Sequence, residues 1–256
     1  MIKHIIVLFI AVLFLSSCNS NKRIVYFSNN KIAADSTALK YETVLQPDDI
    51  LLITVTSVDA ELANNFNLMY LNAQSTESRT TANEDLFSYL IDQQGEIDFP
   101  VLGKIKLAGL TRIEAELKIK ELLRTKGSLK NAGVNLRLLN FKFSVTGEVR
   151  NPGTYPVRGD RITVLEAVSM AGDLTIYGKR KDITIIREID GVRTMNTVDI
   201  TDASIITSPY YYLAHNDVIY VKPNKTRVNS SVVGPNITVG ISAISLLITI
   251  ITLSLR

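Results

Sequence analysis

Residues 237–255, closed by Arg256, constrain this chain more than any other stretch, because no charged residue falls between Arg227 and Arg256. At about 1.5 Å per residue, a helix of this length spans roughly 28 Å, close to the hydrocarbon thickness of a bilayer. The polar exceptions are ordered. Thr238, Ser242, Ser245, Thr249 and Thr252 are spaced 4, 3, 4 and 3, which on a helix gathers them within an arc of roughly 80°. Arg256 falls on the same line and Ser254 opposite it. The segment reads as a membrane helix with one hydroxyl-lined side, turned toward other helices or water rather than lipid. Two plainer readings stand beside it: a single-span anchor whose hydroxyls bond back to their own carbonyls, and a buried strand. The run lacks strict alternation, with Ile250 and Ile251 adjacent, and exceeds an ordinary strand in length.

The 256 residues suffice for one large domain, or two small ones with targeting segments. The formal net charge is +3, and loss of Lys3 with a leader would lower it by one; that balance implies no nucleic-acid partner. There is no tryptophan, and Cys18 is the single cysteine, which excludes a disulfide framework and a cysteine-based metal cluster.

Residues 1–17 read as a secretory leader. Lys3 and His4 supply a short positive start, and the apolar run 5–15 is too short to span a membrane stably. It ends Leu15-Ser16-Ser17-Cys18, which resembles the lipobox of bacterial lipoproteins and implies lipidation of Cys18. No acidic residue follows in Asn19-Ser20-Asn21, so by the same resemblance nothing signals inner-membrane retention. Acyl chains would anchor this end at about 0.8 kcal/mol per buried CH₂. Residues 18–45 are polar and read as a tether, with one short strand expected at 24–27.

Order resumes at Pro47-Asp48-Asp49, a turn, followed by the β-branched run 50–55 as a strand. Residues 64–85 are rich in Asn, Ser and Thr and read as a long surface loop. Residues 89–100 read as two short strands around Gly95, with Ile105 and Leu107 on one face of the next. Thr111 and Glu114 form a capping box opening a helix, carried by Ile113, Leu117 and Leu122 to a stop at Gly127. Val134, Leu136 and Leu138 alternate with polar residues, as do Phe141, Phe143 and Val145. Pro152-Gly153 fits a type II turn. A second capping box, Thr163 with Glu166, opens a helix that stops at Gly172. Residues 182–189 and 194–200 pair across Asp190-Gly191 as a hairpin, residues 216–221 form a last strand, and 224–236 a linker. Short strands and helices in this order predict an α+β fold with small mixed or antiparallel sheets.

At this point the residues carry a resemblance. Pro47-Asp48-Asp49 with its strand, then Gly95-x-Ile97-x-Phe99-Pro100-x-x-Gly103-x-Ile105 and Gly109-Leu110-Thr111, resemble the polysaccharide export domain of bacterial outer-membrane translocons. Val145-x-Gly147-Glu148-Val149-x-x-Pro152-Gly153-x-Tyr155, with Leu165-x-Ala167 and Ala171-Gly172, is similar to an SLBB module, a β-grasp of the soluble-ligand-binding type. The resemblance is to Wza-like capsule or exopolysaccharide export lipoproteins. It departs at Ala171-Gly172-Asp173-Leu174, where the family often has Ala-Gly-Gly-Leu, and in having one clear SLBB module. The expected organisation is a leader at 1–17, a lipidated tether at 18–45, an export domain at 46–140 and an SLBB domain at 141–223. A linker at 224–236 and a transmembrane helix at 237–255 complete it.

Catalytic chemistry is not expected. His4 would be lost with the leader, and His215 beside Asn216-Asp217 reads as a turn residue. Glu148 and Asp173 sit in turn or cap contexts; Lys179-Arg180-Lys181 reads as a solvated turn, with partner docking or acidic-glycan binding as the alternative; and Tyr210-Tyr211-Tyr212 reads as a β-edge or interface aromatic cluster, with sugar stacking as the alternative. No cofactor, metal site or enzyme activity is expected. The resemblance implies a homo-oligomeric ring in the outer membrane, most of the chain in the periplasm, a polysaccharide substrate and an inner-membrane copolymerase partner. One helix cannot enclose a pore, so oligomerisation follows physically as well. Thr238, Ser242, Ser245, Thr249 and Thr252 are then the candidate pore-lining residues. The alternative is a periplasmic glycan-binding or scaffold lipoprotein whose tail is a plain anchor.

Overall fold

Two separate apolar cores, one on each side of residue 140, divide the body of the chain. The computed structural model describes residues 25–28, 42–68, 87–127, 129–189, 191–232 and 235–254. The leader, Cys18 and most of the expected loop at 64–85 lie outside the described residues.

The first core forms around β1 (Ile50–Thr56), whose alternation turns Leu51, Ile53 and Val55 inward. β1 is the middle of an antiparallel sheet, flanked by β2 (Tyr89–Leu90) and β5 (Gly133–Leu138). A hairpin of β3 (Glu96–Phe99) and β4 (Gly103–Lys106) covers one side, with Phe99 stacked on Tyr89 at 5.4 Å between ring centroids. Gly95 enters that hairpin at φ +80°, and a Cβ there would sit 2.6 Å from the Ala108 Cβ. A short α1 (Ala60–Asn64) follows β1.

The helix α2 (Arg112–Thr125) opens with the expected Thr111–Glu114 capping box. It buries Ala115, Ile119 and Leu123, whereas Ile113 and Leu117 are exposed. The expected apolar face was therefore rotated by about half a turn. The buried face combines the small Ala115 with Ile119 and Leu123, spaced four apart along one side of the helix.

The second core is built on a mixed sheet of order β7-β6-β10-β8-β9. Its strands are β6 (Lys142–Gly147), β7 (Gly153–Pro156), β8 (Gly178–Ile189), β9 (Val192–Val198) and β10 (Val218–Pro223). Only the β6–β10 pairing is parallel among these ladders. The helix α3 (Val164–Met170), opened by the Thr163–Glu166 capping box, packs Val164, Ala167 and Val168 onto Phe143, Val145, Ile219 and Val221. The α+β class expected from the sequence is what the chain adopts.

Four local expectations are corrected. Residues 25–28 form a turn, with Phe27 at φ +53°, in place of a strand. Gly153 opens β7 without a positive φ, so Pro152-Gly153 is not a type II turn; within this stretch it is Gly147 that adopts a left-handed φ, +93°. There β6 and β10 run so close that a Cβ would lie 2.1 Å from the Val221 carbonyl oxygen. Lys179-Arg180-Lys181 lies within β8 and Arg180 is buried, so it is not a solvated turn. The connection at 224–236 is helical over α4 (Lys225–Val232).

The tail is α5 (Pro235–Ser254), 20 residues long. Counted over the described residues, no helix is long and apolar enough to cross a membrane. Ile237, Ile241, Ile244, Ile248 and Ile251 have side chains outside that set, and the span expected for 237–255 rests on the sequence.

Candidate functional site

Both ends of the body leave from the second domain. At the N-terminal side, the Ser28 amide donates to the Thr201 carbonyl at 2.9 Å. The Tyr26 hydroxyl donates to Asp173, and its ring lies 5.8 Å from the Arg180 guanidinium. Burial first, and then the Asp173 carboxylate, push the Tyr26 hydroxyl up to about 12. Arg180 itself points Nη1 at the Thr175 and Gly178 carbonyls, at 3.5 and 3.4 Å. Asp173 can accept from Tyr26 because it adopts φ +69° just after the Gly172 helix stop.

At the C-terminal side, Glu148 holds the start of the tail. Its Oε1 is 3.1 Å from Arg227 Nε on α4, and its Oε2 accepts from Thr175 Oγ1 at 2.8 Å. The Arg227 guanidinium also lies 5.6 Å from the Tyr177 ring centre, and the Asn224 amide donates to the Tyr177 carbonyl at 2.8 Å. Asn224 caps α4 by accepting from the Arg227 amide at 2.9 Å. Glu148 and Asp173 are thus not a carboxylate pair for acid–base work; each is tied to a chain end.

On α5, Ser242, Ser245 and Thr249 are exposed. Thr249 Oγ1 donates to the Ser245 carbonyl at 2.8 Å, the local bond to the preceding turn that helical hydroxyls commonly make. Thr238 and Thr252 are positions of the same helix with side chains outside the described residues, and Cys18 lies outside them altogether.

Between the domains, β5 runs through residues 139–141 into β6. The Leu139 amide donates to the Ile50 carbonyl, the Ile50 amide to Asn140 Oδ1, and Asn140 Nδ2 to the Asp48 carbonyl, all at 2.8–3.0 Å. His215, read from sequence as a turn residue, does lie in a turn, but is 3 % exposed and packs edge-on against Phe141. Its Nδ1 accepts from the Lys142 amide at 3.2 Å, so the proton sits on Nε2, which faces Asp49. This pair joins residues 166 positions apart, and no local pattern in the sequence announces it. Nearby, Arg187 forms a buried bridge to Asp217, with Nη2–Oδ2 at 2.7 Å and Nε–Oδ1 at 3.0 Å. Tyr210 lies under Arg187 and Tyr212 under Arg161, at 5.3 and 5.2 Å, so the three-tyrosine run packs on its own domain. Among the described residues, no three His, Cys, Asp or Glu side chains gather as metal ligands would.

Comparison with known proteins follows the same division. Residues 37–139 match the family described as polysaccharide biosynthesis/export protein, and residues 142–196 match the SLBB domain. The EPS I polysaccharide export outer membrane protein EpsA of Ralstonia solanacearum is 27% identical over 159 residues, covering 58% of this chain and 40% of that protein. Its counterpart in Ralstonia nicotianae (strain ATCC BAA-1114 / GMI1000) is 31% identical over 103 residues, covering 39% of this chain and 26% of that protein. The chain thus matches well under half the length of either relative. By the two domains in this order, over the residues whose motifs pointed to them, the chain belongs to the polysaccharide biosynthesis/export protein family, Wza-like, with an SLBB domain after its export domain.

Proposed function

We propose that this chain is one subunit of an outer-membrane translocon that exports capsular or extracellular polysaccharide through an oligomeric pore. The observation that carries this reading is the order of parts: an export domain, an SLBB domain, and then a charge-free helix issuing from the SLBB sheet through α4. Twenty helical residues extend roughly 30 Å, the hydrocarbon thickness of a bilayer. A lipid on Cys18 would anchor the other end. Tyr26 follows eight positions later and is docked on the SLBB domain, and eight extended residues reach at most about 29 Å. The SLBB domain therefore sits against the membrane, with the export domain beyond it in the periplasm.

One helix encloses nothing, so the tails of several subunits must line the pore together. The sequence offers a seam for this: isoleucine recurs at 237, 241, 244, 248 and 251, one position before each member of the hydroxyl stripe. Such 3-4 spacing is that of a helix–helix seam. With isoleucine turned to neighbouring helices, Thr238, Ser242, Ser245, Thr249 and Thr252 fall about 100° away and face the lumen. Hydroxyls are weak, uncharged hydrogen-bonding groups and offer a hydrated glycan weak contacts, which favour passage over retention. The family implies an inner-membrane copolymerase that delivers the polymer, and no reaction is assigned to this chain.

The test is the full-length lipoprotein extracted in detergent. Large rings by electron microscopy are expected, and monomers or dimers would refute the translocon. In cells, replacing Ser242, Ser245 and Thr249 together by leucine should lower export while rings still form. Unchanged export would remove the lumen assignment.

A further inference from the structure

A cleft of about 470 Å³ opens along the seam between the two domains, within the roughly 300–1,000 Å³ of ligand pockets. Four guanidinium groups line it, Arg112 and Arg137 from the export domain and Arg158 and Arg161 from the SLBB domain, against two carboxylates, Glu42 and Asp160. Two of the arginines are already engaged. Arg112 Nη1 bridges Glu116 at 2.9 Å and its Nε approaches Asp160 at 3.8 Å, while Arg161 lies over Tyr212. Arg137 and Arg158 have no carboxylate partner among the described residues. The rest of the lining is largely apolar, with Leu45, Ile113, Leu136, Leu138 and Phe141.

We infer that this cleft binds acidic segments of the glycan: sugar residues that carry a carboxylate, of the uronic-acid type. The inference rests on the export reading and deepens it by naming a substrate class and a site. A planar guanidinium meets a carboxylate through two parallel hydrogen bonds, and Arg137 and Arg158, one from each domain, line the cleft with no carboxylate partner of their own among the described residues. The apolar lining suits the C–H face of a pyranose ring. A neutral glycan would offer the two guanidiniums only hydroxyl acceptors, which bind them more weakly than a carboxylate does. Because these arginines are exposed, each ion pair is weak and exchanges with water, so a long acidic polymer can step through the cleft without being held. The site also spans the domain seam, where the Thr43 hydroxyl already donates to the Asp160 carbonyl at 3.1 Å, so an occupant would bridge both domains.

The experiment measures binding of tetragalacturonate, with neutral maltotetraose as control, to the full-length protein in detergent by titration calorimetry. Tetragalacturonate should bind and weaken as salt is raised, and maltotetraose should bind at least tenfold less well. Arg137→Gln with Arg158→Gln should reduce tetragalacturonate affinity by tenfold or more. Lys120→Gln with Lys130→Gln, which removes the same charge away from the cleft, should leave it within twofold. Equal binding of the two sugars, or an equal loss in both double variants, would overturn the inference. So would a change in ring size in the cleft variant without loss of sugar binding, since the cleft would then be a contact between subunits. Rings that form and export normally with no tetragalacturonate binding would overturn the cleft and leave the export reading standing. Failure to form rings in the unmodified protein would instead overturn the export reading.

Discussion

Across the seam between the two domains, Nε2 of His215 faces Oδ1 of Asp49 at 3.4 Å, and both side chains are shut off from solvent. Burial, with Asp48 adding to it, pushes the Asp49 carboxyl up from 3.8 to about 7, although its other oxygen accepts from the Gln46 amide. Burial, with Lys142 adding to it, pushes His215 down from 6.5 to about 4. Between these values the folded pair holds one proton, on Asp49, and the unfolded pair also holds one, on His215. Asp49 contributes stability that is lost as pH rises toward 7; His215 contributes stability that is lost as pH falls toward 4. The two slopes oppose each other, so this pair by itself should contribute a nearly level stability between about pH 4 and 6.5.

Single substitutions should unmask each slope. His215→Gln leaves Asp49 alone and should make stability fall as pH is raised from 4 to 7. Asp49→Asn leaves His215 alone and should make it rise from pH 4 to 6.5. Thermal unfolding of the detergent-solubilised protein across this range reads both, and parallel profiles for the two variants would contradict the pairing.

Arg187 and Asp217 should behave differently from a surface pair. Asp217 is fully buried and also accepts from the Ala214 amide at 2.8 Å. Its desolvation outweighs the guanidinium and holds the carboxyl above its ordinary range. Arg187→Met strands that carboxylate and should cost about 3–5 kcal/mol. Adding Asp217→Leu should recover part of the loss, measured by denaturant unfolding.

Gly147→Ala should destabilise by about 2 kcal/mol or more, because it places a Cβ 2.1 Å from the Val221 carbonyl oxygen at φ +93°. Gly191→Ala is the comparison. It shares a positive φ, +75°, but has nothing within 4 Å, and should cost only the strain of about 1 kcal/mol. Equal losses in the two variants would mean that the β6–β10 approach is not the constraint.

Arg227→Gln should leave global stability within about 1 kcal/mol, since its bridge to Glu148 is partly exposed. Its effect is local. Amides of α4 should exchange faster with deuterium, because the Glu148 and Tyr177 contacts both set the angle at which the tail leaves the SLBB domain. Hydrogen exchange by mass spectrometry over 224–232 checks this, and unchanged protection would mean that the cap at Asn224 suffices.

The sequence alone determined whatever depends on near neighbours. Two capping boxes, the alternation in β1, β5 and β6, and the Asp190-Gly191 hairpin need only residues a few positions apart, and all formed as expected. The family was legible for the same reason, since its motifs are short runs around glycine turns. The hydroxyl stripe on the tail is likewise a matter of spacing. Tertiary structure decided which face of α2 is buried, because apolar residues lie on both sides of the helix and only the packing of the first core selects Ala115, Ile119 and Leu123. It decided that Gly147 takes a positive φ and Gly153 does not, and that the β10 strand crowds Gly147 against any side chain. It turned Arg180 from a surface charge into a buried contact of Tyr26. It also joined Asp49 to His215 and gathered Arg112, Arg137, Arg158 and Arg161 into one cleft, because solvent exclusion and charge convergence belong to the packed seam between two domains and leave no periodic mark along the chain.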